Sequence, residues 1–381
     1  MDTSTLSLSA ELLLKFLADH SRVQFVRLLW LDYNSVLRAR IVTTSHFCHL
    51  IQRGELQGLA NLYMFLAHNQ PPSLDDGGDW SPGQAWLLPD PVSIRLCPGA
   101  DSHAQVFCFF VDEVETPWQL QLGHDDSCPR IALARAVRDA QHVIGAEFLV
   151  GFEIEFVCSL GPGTVIPQSC PHESSGVRTT EIFMMPILCE IVDALRCVGI
   201  SVQQFHAECT VNQYEIALVP MSPLEAVDTL VITRETIWKI CHVHGVAVSF
   251  SPAHPEENGV HLNLSIHGRQ PADSATTDYF LAGILSHLVS LCAFGLPRIT
   301  SYDRIAAGPR CFGRYKAWGT QNRMVPVRKR SAALWELRFL DADSNFFLFL
   351  SAVLYSGISG VRQKLPLTLK DCRGMLQASL S

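Results

Sequence analysis

Gly151-Phe152-Glu153-Ile154-Glu155-Phe156 reads as a β-strand with two opposed faces. Side chains alternate along a strand, so Glu153 and Glu155 share one face while Phe152, Ile154 and Phe156 share the other. The apolar face belongs on a core. The acidic face holds two like charges about 7 Å apart, which repel unless cations lie between them or water screens them. Taken alone, such a pair is more often a solvated strand face.

Three further segments change that balance. His206-Ala207-Glu208 is followed by Gln213-Tyr214-Glu215, which places two more acids on strands or on the turn joining them. Residues 260–266 (VHLNLSI) alternate cleanly, so His261, Asn263 and Ser265 point together to a polar face. Residues 334–339 (LWELRF) pair Glu336 with Arg338 in the same way. A single strand histidine is usually a hydrogen-bonded core residue. Four β-segments that each set acids or histidine against apolar neighbours point instead to a metal-binding sheet face. Hard cations of the Mg²⁺ or Mn²⁺ kind take carboxylate oxygens with an occasional imidazole. Arg304, Arg314, Arg323, Arg328, Lys329 and Arg330 fall in one span beside the last acidic strand. A basic run is commonly a solvated loop; next to a metal site it reads as a phosphate clamp, because guanidinium forks match phosphate oxygens bidentately.

The rest of the chain supplies the frame. A short amphipathic helix is expected over 11–20, then a hairpin in which runs 23–31 and 36–42 flank the turn Asp32-Tyr33-Asn34-Ser35. Residues 70–83 (QPPSLDDGGDWSPG) are dense in Pro, Gly and Asp and read as loop. Short strand pieces over 86–98 lead to a boundary at Cys97-Pro98-Gly99, giving a small N-terminal domain over 1–100 and a larger one over 101–381. In the second part, helices are expected over 129–144, 181–198, 222–244, 276–294 and 345–359, with Ser222 as the N-cap and Pro223 in the first turn of the third. Strands are expected over 149–157, 201–205, 214–218, 246–250, 260–266 and 333–340. The class is α+β, an antiparallel sheet with helices behind it.

Composition excludes several alternatives. With 48% hydrophobic and 17% charged residues the chain is too apolar to be disordered. A net charge of −8 without basic stripes argues against nucleic acid as a partner. The 13 cysteines form no C-x-x-C pair and read as reduced thiols. No signal peptide is expected from the polar segment 1–9, and no membrane span is expected, so the expected location is the cytoplasm.

In order, these motifs resemble those of the glutamine synthetase family: G-x-E-x-E-F, then H-x-E with a Glu seven residues on, N-G-x-H, S-Y-x-R, W-G-x-x-N-R-x-x-x-x-R and W-E-L-R-x-x-D. Within it the chain is most similar to the glutamine synthetase-like domain of fungal fluG-type proteins, chiefly through residues 311–323 (CFGRYKAWGTQNR). The resemblance implies a small β-grasp-like N-terminal domain and a catalytic domain with a curved antiparallel sheet backed by helices, of the glutamine synthetase/guanido kinase type. It implies two Mg²⁺ or Mn²⁺ sites, one held by Glu155, Glu208 and Glu215 and the other by Glu153, His261 and Glu336. It assigns Arg323, Arg328 and Arg338 to phosphates and the γ-glutamyl phosphate, Arg304 to the substrate carboxylate, and Asn258 and Gly259 to the amino-acid backbone. Asp32 takes the place of an acid that reaches into a neighbouring subunit's site. Implied substrates are ATP, glutamate or a related acid, and an amine; the implied assembly is a homo-oligomer with sites between subunits.

The chain also departs from the family. Ammonia-using members carry a flap glutamate after the S-Y-x-R arginine, whereas no Asp or Glu occurs here between Arg304 and Trp335. The loop over 252–257 (PAHPEE) lacks the usual lysine, and relative to the family the chain ends early, at Ser381. Two readings follow. One is an ATP-dependent carboxylate–amine ligase forming a γ-glutamyl amide, with an amine that need not be ammonia, plain glutamine synthetase ranking below both readings. The other is a metal- and nucleotide-binding relative without catalysis, serving as a regulatory or structural protein.

Overall fold

The computed structural model describes residues 5–7, 9–64, 83–111, 118–121, 128–145, 147–160, 174–176, 184–253, 258–267, 274–307 and 315–373. The expected loop over 70–83 lies outside them except for Gly83. The chain folds as two compact units, Met1–Arg135 and Ala136–Ser381.

In the first unit, β1 (Thr5–Ser7) precedes α1 (Ala10–Asp19), then β2 (Phe25–Leu31) and β3 (Leu37–Thr43). The last two form the expected antiparallel hairpin, with Leu31 opposite Leu37. Next come α2 (Thr44–Arg53), β4 (Gln57–Ala60), β5 (Gln84–Pro89), β6 (Arg95–Cys97), β7 (Ala100–Val111) and β8 (Gln119–Gln121). Helix α2 had no counterpart in the sequence reading; Thr43 caps it by accepting the His46 N–H at 3.3 Å. The main sheet has the order β3-β2-β7-β5-β4, with β6 also on β7. β7 pairs parallel to β2 and antiparallel to β5, so it is the central strand. That carries this unit past the boundary expected at residue 100, and it ends at Arg135. α3 (Pro129–Ile144) carries the chain into the second unit.

That unit holds β9 (Glu147–Leu160), α4 (Met185–Cys197), β10 (Val202–Ala207), β11 (Gln213–Leu218), α5 (Pro223–Val243), β12 (Val246–Ser249) and β13 (Val260–His267). It continues through α6 (Ser274–Ser286), α7 (Leu288–Gly295), α8 (Ile299–Ala307), β14 (Trp318–Thr320), β15 (Val327–Ser331), β16 (Leu334–Leu337) and α9 (Phe346–Gln363). The sheet order is β10-β11-β9-β13-β16-β15-β14, with β12 also paired to β9. The sheet is antiparallel as expected, with β14 and β15 forming its one parallel pair among the described residues. The apolar face of β9 is buried as its alternation demands: Phe152, Ile154 and Phe156 are inaccessible, and Phe152 meets Phe346 of α9 edge-on at 5.7 Å.

Other expectations are corrected. The single helix over 276–294 is two helices, α6 and α7, bent 69° apart. Ser222 precedes α5 but its hydroxyl caps no backbone N–H; it faces Glu225 at 3.4 Å instead. Asn345 does cap α9, accepting from the Leu348 N–H. Helix α9 is long and apolar enough to cross a bilayer, yet 61% of it is buried inside the protein, as a core helix would be.

Candidate active site

Strand register converts the scattered motifs into one row. His206 of β10 lies opposite Glu215 of β11, and Glu215 opposite Glu155 of β9. Glu153, two residues along β9, lies opposite His261 of β13. Asn263 of β13 lies opposite Glu336 of β16, and Glu336 opposite Arg328 of β15. Six strands therefore present carboxylates and imidazoles on one face, ending in guanidinium.

Short contacts tie the row together. His261 Nδ1 is 3.0 Å from Glu153 Oε2, and the Asn263 amide donates to Glu153 Oε1 at 2.9 Å. His261 also lies 3.8 Å from Glu155 and 3.9 Å from Glu336. His206 reaches Glu215 at 3.4 Å and Glu208 at 3.6 Å. Arg328 donates to Glu336 Oε2 at 2.7 Å, and Arg338 donates to its other oxygen. Glu155 accepts from the Gly259 N–H at 2.7 Å and from Gln213 Nε2 at 3.1 Å. Gln213 also donates to Asn258, whose amide is anchored on the carbonyls of Ser249 and Ser251. A Cβ at Gly259 would meet Arg304 Nη1 at 3.1 Å and both Glu155 oxygens at 3.4 Å, so a larger residue would have to push the Arg304 guanidinium aside by a few tenths of an ångström.

The electrostatics follow from this crowding. Burial is the largest influence on Glu153 and opposes its charge, but the hydrogen bond and charge of His261, the Asn263 amide and Arg338 outweigh it and hold the carboxyl at about 2. Glu336 is likewise lowered, with burial overcome by His261, Arg338 and Arg328. Glu215 goes the other way: burial first, then Glu153, Glu155, Glu208 and Glu336, push it up to about 9. A group of acids that must retain a proton near neutrality is a group short of a cation.

Two sets of side chains suit one. Glu153, Glu215 and His261 offer donor atoms all within 4.8 Å of one another, and so do His206, Glu208 and Glu215. Carboxylate oxygens with one imidazole each fit Mg²⁺ or Mn²⁺ better than a thiolate-seeking metal. These two groups cut across the two expected triads. Glu215 belongs to both groups and His206 joins Glu208, while the Glu336 oxygens are taken by Arg328 and Arg338.

The remaining expected residues fall into three places. Arg304 is buried beside Gly259, with Nη2 3.4 Å from the Leu340 carbonyl. Arg323 is exposed on the turn between β14 and β15 and makes none of these contacts. Asp32 is fully buried in the first unit, where its carboxylate closes its own hairpin turn: it accepts from the N–H groups of Asn34 and Val36 at 2.9 Å and pairs with Arg38 at 2.7 Å. Arg314, the stretch 308–313 and the loop 254–257 lie outside the described residues. The family resemblance assigns no individual role to His206, Gln213, Asn263 or Arg330, although the sequence puts Asn263 on the polar face and Arg330 in the basic run. Arg330 donates to Asn263 at 3.0 Å and stands 4.0 Å from Glu153. Its signal was available, because Arg328 and Arg330 are two apart and share a strand face.

Comparison with known proteins accords with this arrangement. The glutamine synthetase catalytic domain matches residues 126–373, well over half of the chain. The chain belongs to the glutamine synthetase family. Among family relatives it is 32% identical over 375 residues to protein fluG of Emericella nidulans, a match covering 96% of this chain and 42% of fluG. It is 29% identical over 265 residues to the gamma-glutamylpolyamine synthetase GlnA3 of Streptomyces coelicolor, covering 63% of this chain and 56% of that enzyme. The chain thus spans about two fifths to a little over half of these two relatives. A solved structure of ligand-free GmaS superposes with a TM-score of 0.77 at 22% identity, covering 93% of this chain and 82% of the other, which establishes the shared α+β fold.

Proposed function

We propose that this glutamine synthetase family member is an ATP-dependent ligase joining the side-chain carboxylate of glutamate, or a related acid, to an amine other than ammonia. The product is a γ-glutamyl amide, formed through an acyl phosphate. The observation that carries the proposal is the continuous row from His206 to Arg328, in which a cation-binding face runs directly into guanidinium groups.

Glu153, Glu155, Glu208, Glu215, His261 and Glu336, with His206 beside them, would hold two Mg²⁺ or Mn²⁺ ions. When bound, such ions neutralise and orient the phosphates of ATP. The protein's own groups do the rest. Arg304, next to Gly259 and with a buried Nε that has no hydrogen-bond partner among the described residues, binds the substrate carboxylate. Asn258 and Gly259, held by Gln213 and Glu155, form the rim that receives the amino-acid backbone. Arg328 and Arg338, oriented by Glu336, face the transferring phosphoryl group, where fixed positive charge lowers the barrier without reorganising. Arg323, exposed on the turn between β14 and β15, would meet the nucleotide's phosphates. Once the carboxylate is activated, a neutral amine attacks its carbonyl carbon, the bond to the phosphate oxygen breaks, and the departing phosphate takes up the proton that the amine nitrogen loses.

The amine half is where this chain differs. Without an acid between Arg304 and Trp335, nothing in that stretch attracts ammonium, and a larger amine with its own contacts is favoured. The polyamine specificity named for one relative supports that choice. Operation in the cytoplasm, as a homo-oligomer in which the hairpin turn ordered by Asp32 stands at a neighbouring subunit's site, completes the proposal. The test is phosphate release from ATP by the purified protein with Mg²⁺ or Mn²⁺, glutamate and a panel of ammonium, alkylamines and polyamines. Release that depends on an amine but not on ammonium is expected. Folded, metal-bound protein that releases none with any amine overturns it.

The missing acid also favours a second reading, a metal- and nucleotide-binding protein without turnover. Calorimetry separates the two, since that reading requires ATP and metal to bind while no phosphate is released.

A further inference from the structure

Residues 318–330 carry Arg323 and Arg328, two of the arginines proposed to meet phosphate, and one side of this segment is held by a distant stretch of chain. The Trp318 indole N–H donates to the Leu369 carbonyl at 2.9 Å, and the Cys372 N–H donates to the Trp318 carbonyl at 3.1 Å. Asp371 takes both polar hydrogens of Thr320: the backbone N–H at Oδ1 and the hydroxyl at Oδ2, each at 2.7 Å. The Asn322 amide donates to the Cys372 carbonyl at 2.7 Å. A Cβ at Gly319 would stand 2.2 Å from that same carbonyl, so the strap lies directly on the backbone there.

Gln321 links the strap to the site. Its φ is +57°, a left-handed conformation unfavourable for a non-glycine residue. Three bonds hold it on β15. Its N–H donates to the Lys329 carbonyl at 3.0 Å, and its side-chain Nε2 donates to the Arg330 carbonyl at 2.8 Å. Its Oε1 accepts from Arg328 Nη2 at 3.0 Å. Arg328 Nη1 in turn donates to Glu336. The path from Asp371 through Thr320 and Gln321 to Arg328 is therefore an unbroken chain of hydrogen bonds and adjacent residues.

We propose that Asp371 is a positioning residue, fixing Arg328 toward the phosphates by clamping Thr320 and so holding Gln321 in its strained conformation. Asp371 does not touch the reacting atoms. A cradle that fixes both the backbone and the hydroxyl of the residue before a left-handed glutamine exceeds what tethering a strap requires, since the Leu369 and Cys372 carbonyls already do that. The kinetic part of this inference rests on the ligase reading; the structural part does not.

The test compares Asp371→Ala and Thr320→Val with Lys370→Ala, which removes an exposed side chain from the same strap. Hydrogen exchange on the full chain is the readout that needs no activity. Both clamp variants should speed exchange over 318–331, with β13 unchanged, while Lys370→Ala should leave both as they are. In turnover, the clamp variants should lose on the order of tenfold to a hundredfold in kcat/KM for ATP while KM for glutamate stays near the wild-type value. Asp371→Asn, which keeps an acceptor for the Thr320 N–H, should recover part of that loss. Unchanged exchange over 318–331 in Asp371→Ala overturns the proposal, as does an equal loss toward ATP and glutamate. If the wild-type protein itself turns over nothing, the ligase reading fails, and exchange still decides the role of Asp371.

Discussion

Glu215 cannot be at rest with its surroundings at every pH. Burial, and then four neighbouring carboxylates, raise its pKa to about 9, against 4.5 for an ordinary glutamate. A group whose folded pKa is raised contributes stability that is fully present below the unfolded value and is lost as pH climbs through the folded one. The metal-free protein should therefore lose stability steadily from about pH 4.5 to about pH 9 on account of this residue. A divalent cation replaces the proton and cancels the loss. The stabilisation conferred by saturating Mn²⁺, measured as the rise in Tm, is expected to grow across that window, and uptake of the ion at pH 7 should release about one proton. Glu215→Gln should flatten the pH dependence of the metal-free protein and weaken metal binding. A Mn²⁺ effect on Tm independent of pH in the wild-type protein would contradict this account. Glu153, held at about 2, works in the opposite sense, and its contribution fades as pH falls from about 4.5 to about 2.

The site depends on the apolar side of β9, because the residues that aim Glu153 and Glu155 outward are those that bury Phe152, Ile154 and Phe156. Phe152→Ala removes a ring packed edge-on against Phe346 and should cost about 3–5 kcal/mol in urea unfolding, with metal affinity falling alongside as the strand loosens. A change under about 1 kcal/mol would mean that the core refills the space. This two-faced alternation was legible in the sequence at β9, β13 and β16, since a period of two needs no knowledge of partners. Elsewhere the sequence was silent for identifiable reasons. The break between α6 and α7 falls at Ser286-His287, where no proline or glycine interrupts the apolar spacing. β15 (VRKRS) resembles a solvated basic run, and only its place between β14 and β16 makes it a strand. Lys329 on its other side packs over Trp318 at 5.6 Å. The length of the first unit was likewise hidden, because β7 joins β2 in a parallel pair that local patterning cannot announce. At the site, carboxylates and motif arginines were readable from spacing. His206, Asn263 and Arg330 were visible as polar or basic positions, but only the register sets them beside Glu215, Glu336 and Glu153.

At the scale of the whole molecule, the proposed assembly assigns two jobs to different parts of the chain: the second unit builds the metal and phosphate face, and the first unit carries Asp32. Within one chain Asp32 is occupied with its own turn and with Arg38. A role at a neighbour's site therefore requires that the turn present the acid, or the residues it orders, across a subunit boundary. Complementation tests this directly. Asp32→Ala retains an intact metal face, and Glu336→Gln retains an intact hairpin, so each homo-oligomer should be nearly inactive for a different reason. Dissociated together and allowed to reassemble at equal concentrations, they should regain about a quarter of wild-type activity, the fraction of sites that receive both good halves by random mixing in a closed ring. Mixing without dissociation should regain nothing. If the reassembled mixture stays as inactive as its parents while sedimentation shows hybrid oligomers, each site is complete within one chain. Asp32 would then matter only to the hairpin, and Asp32→Ala would lower Tm without altering the amine dependence of whatever turnover survives.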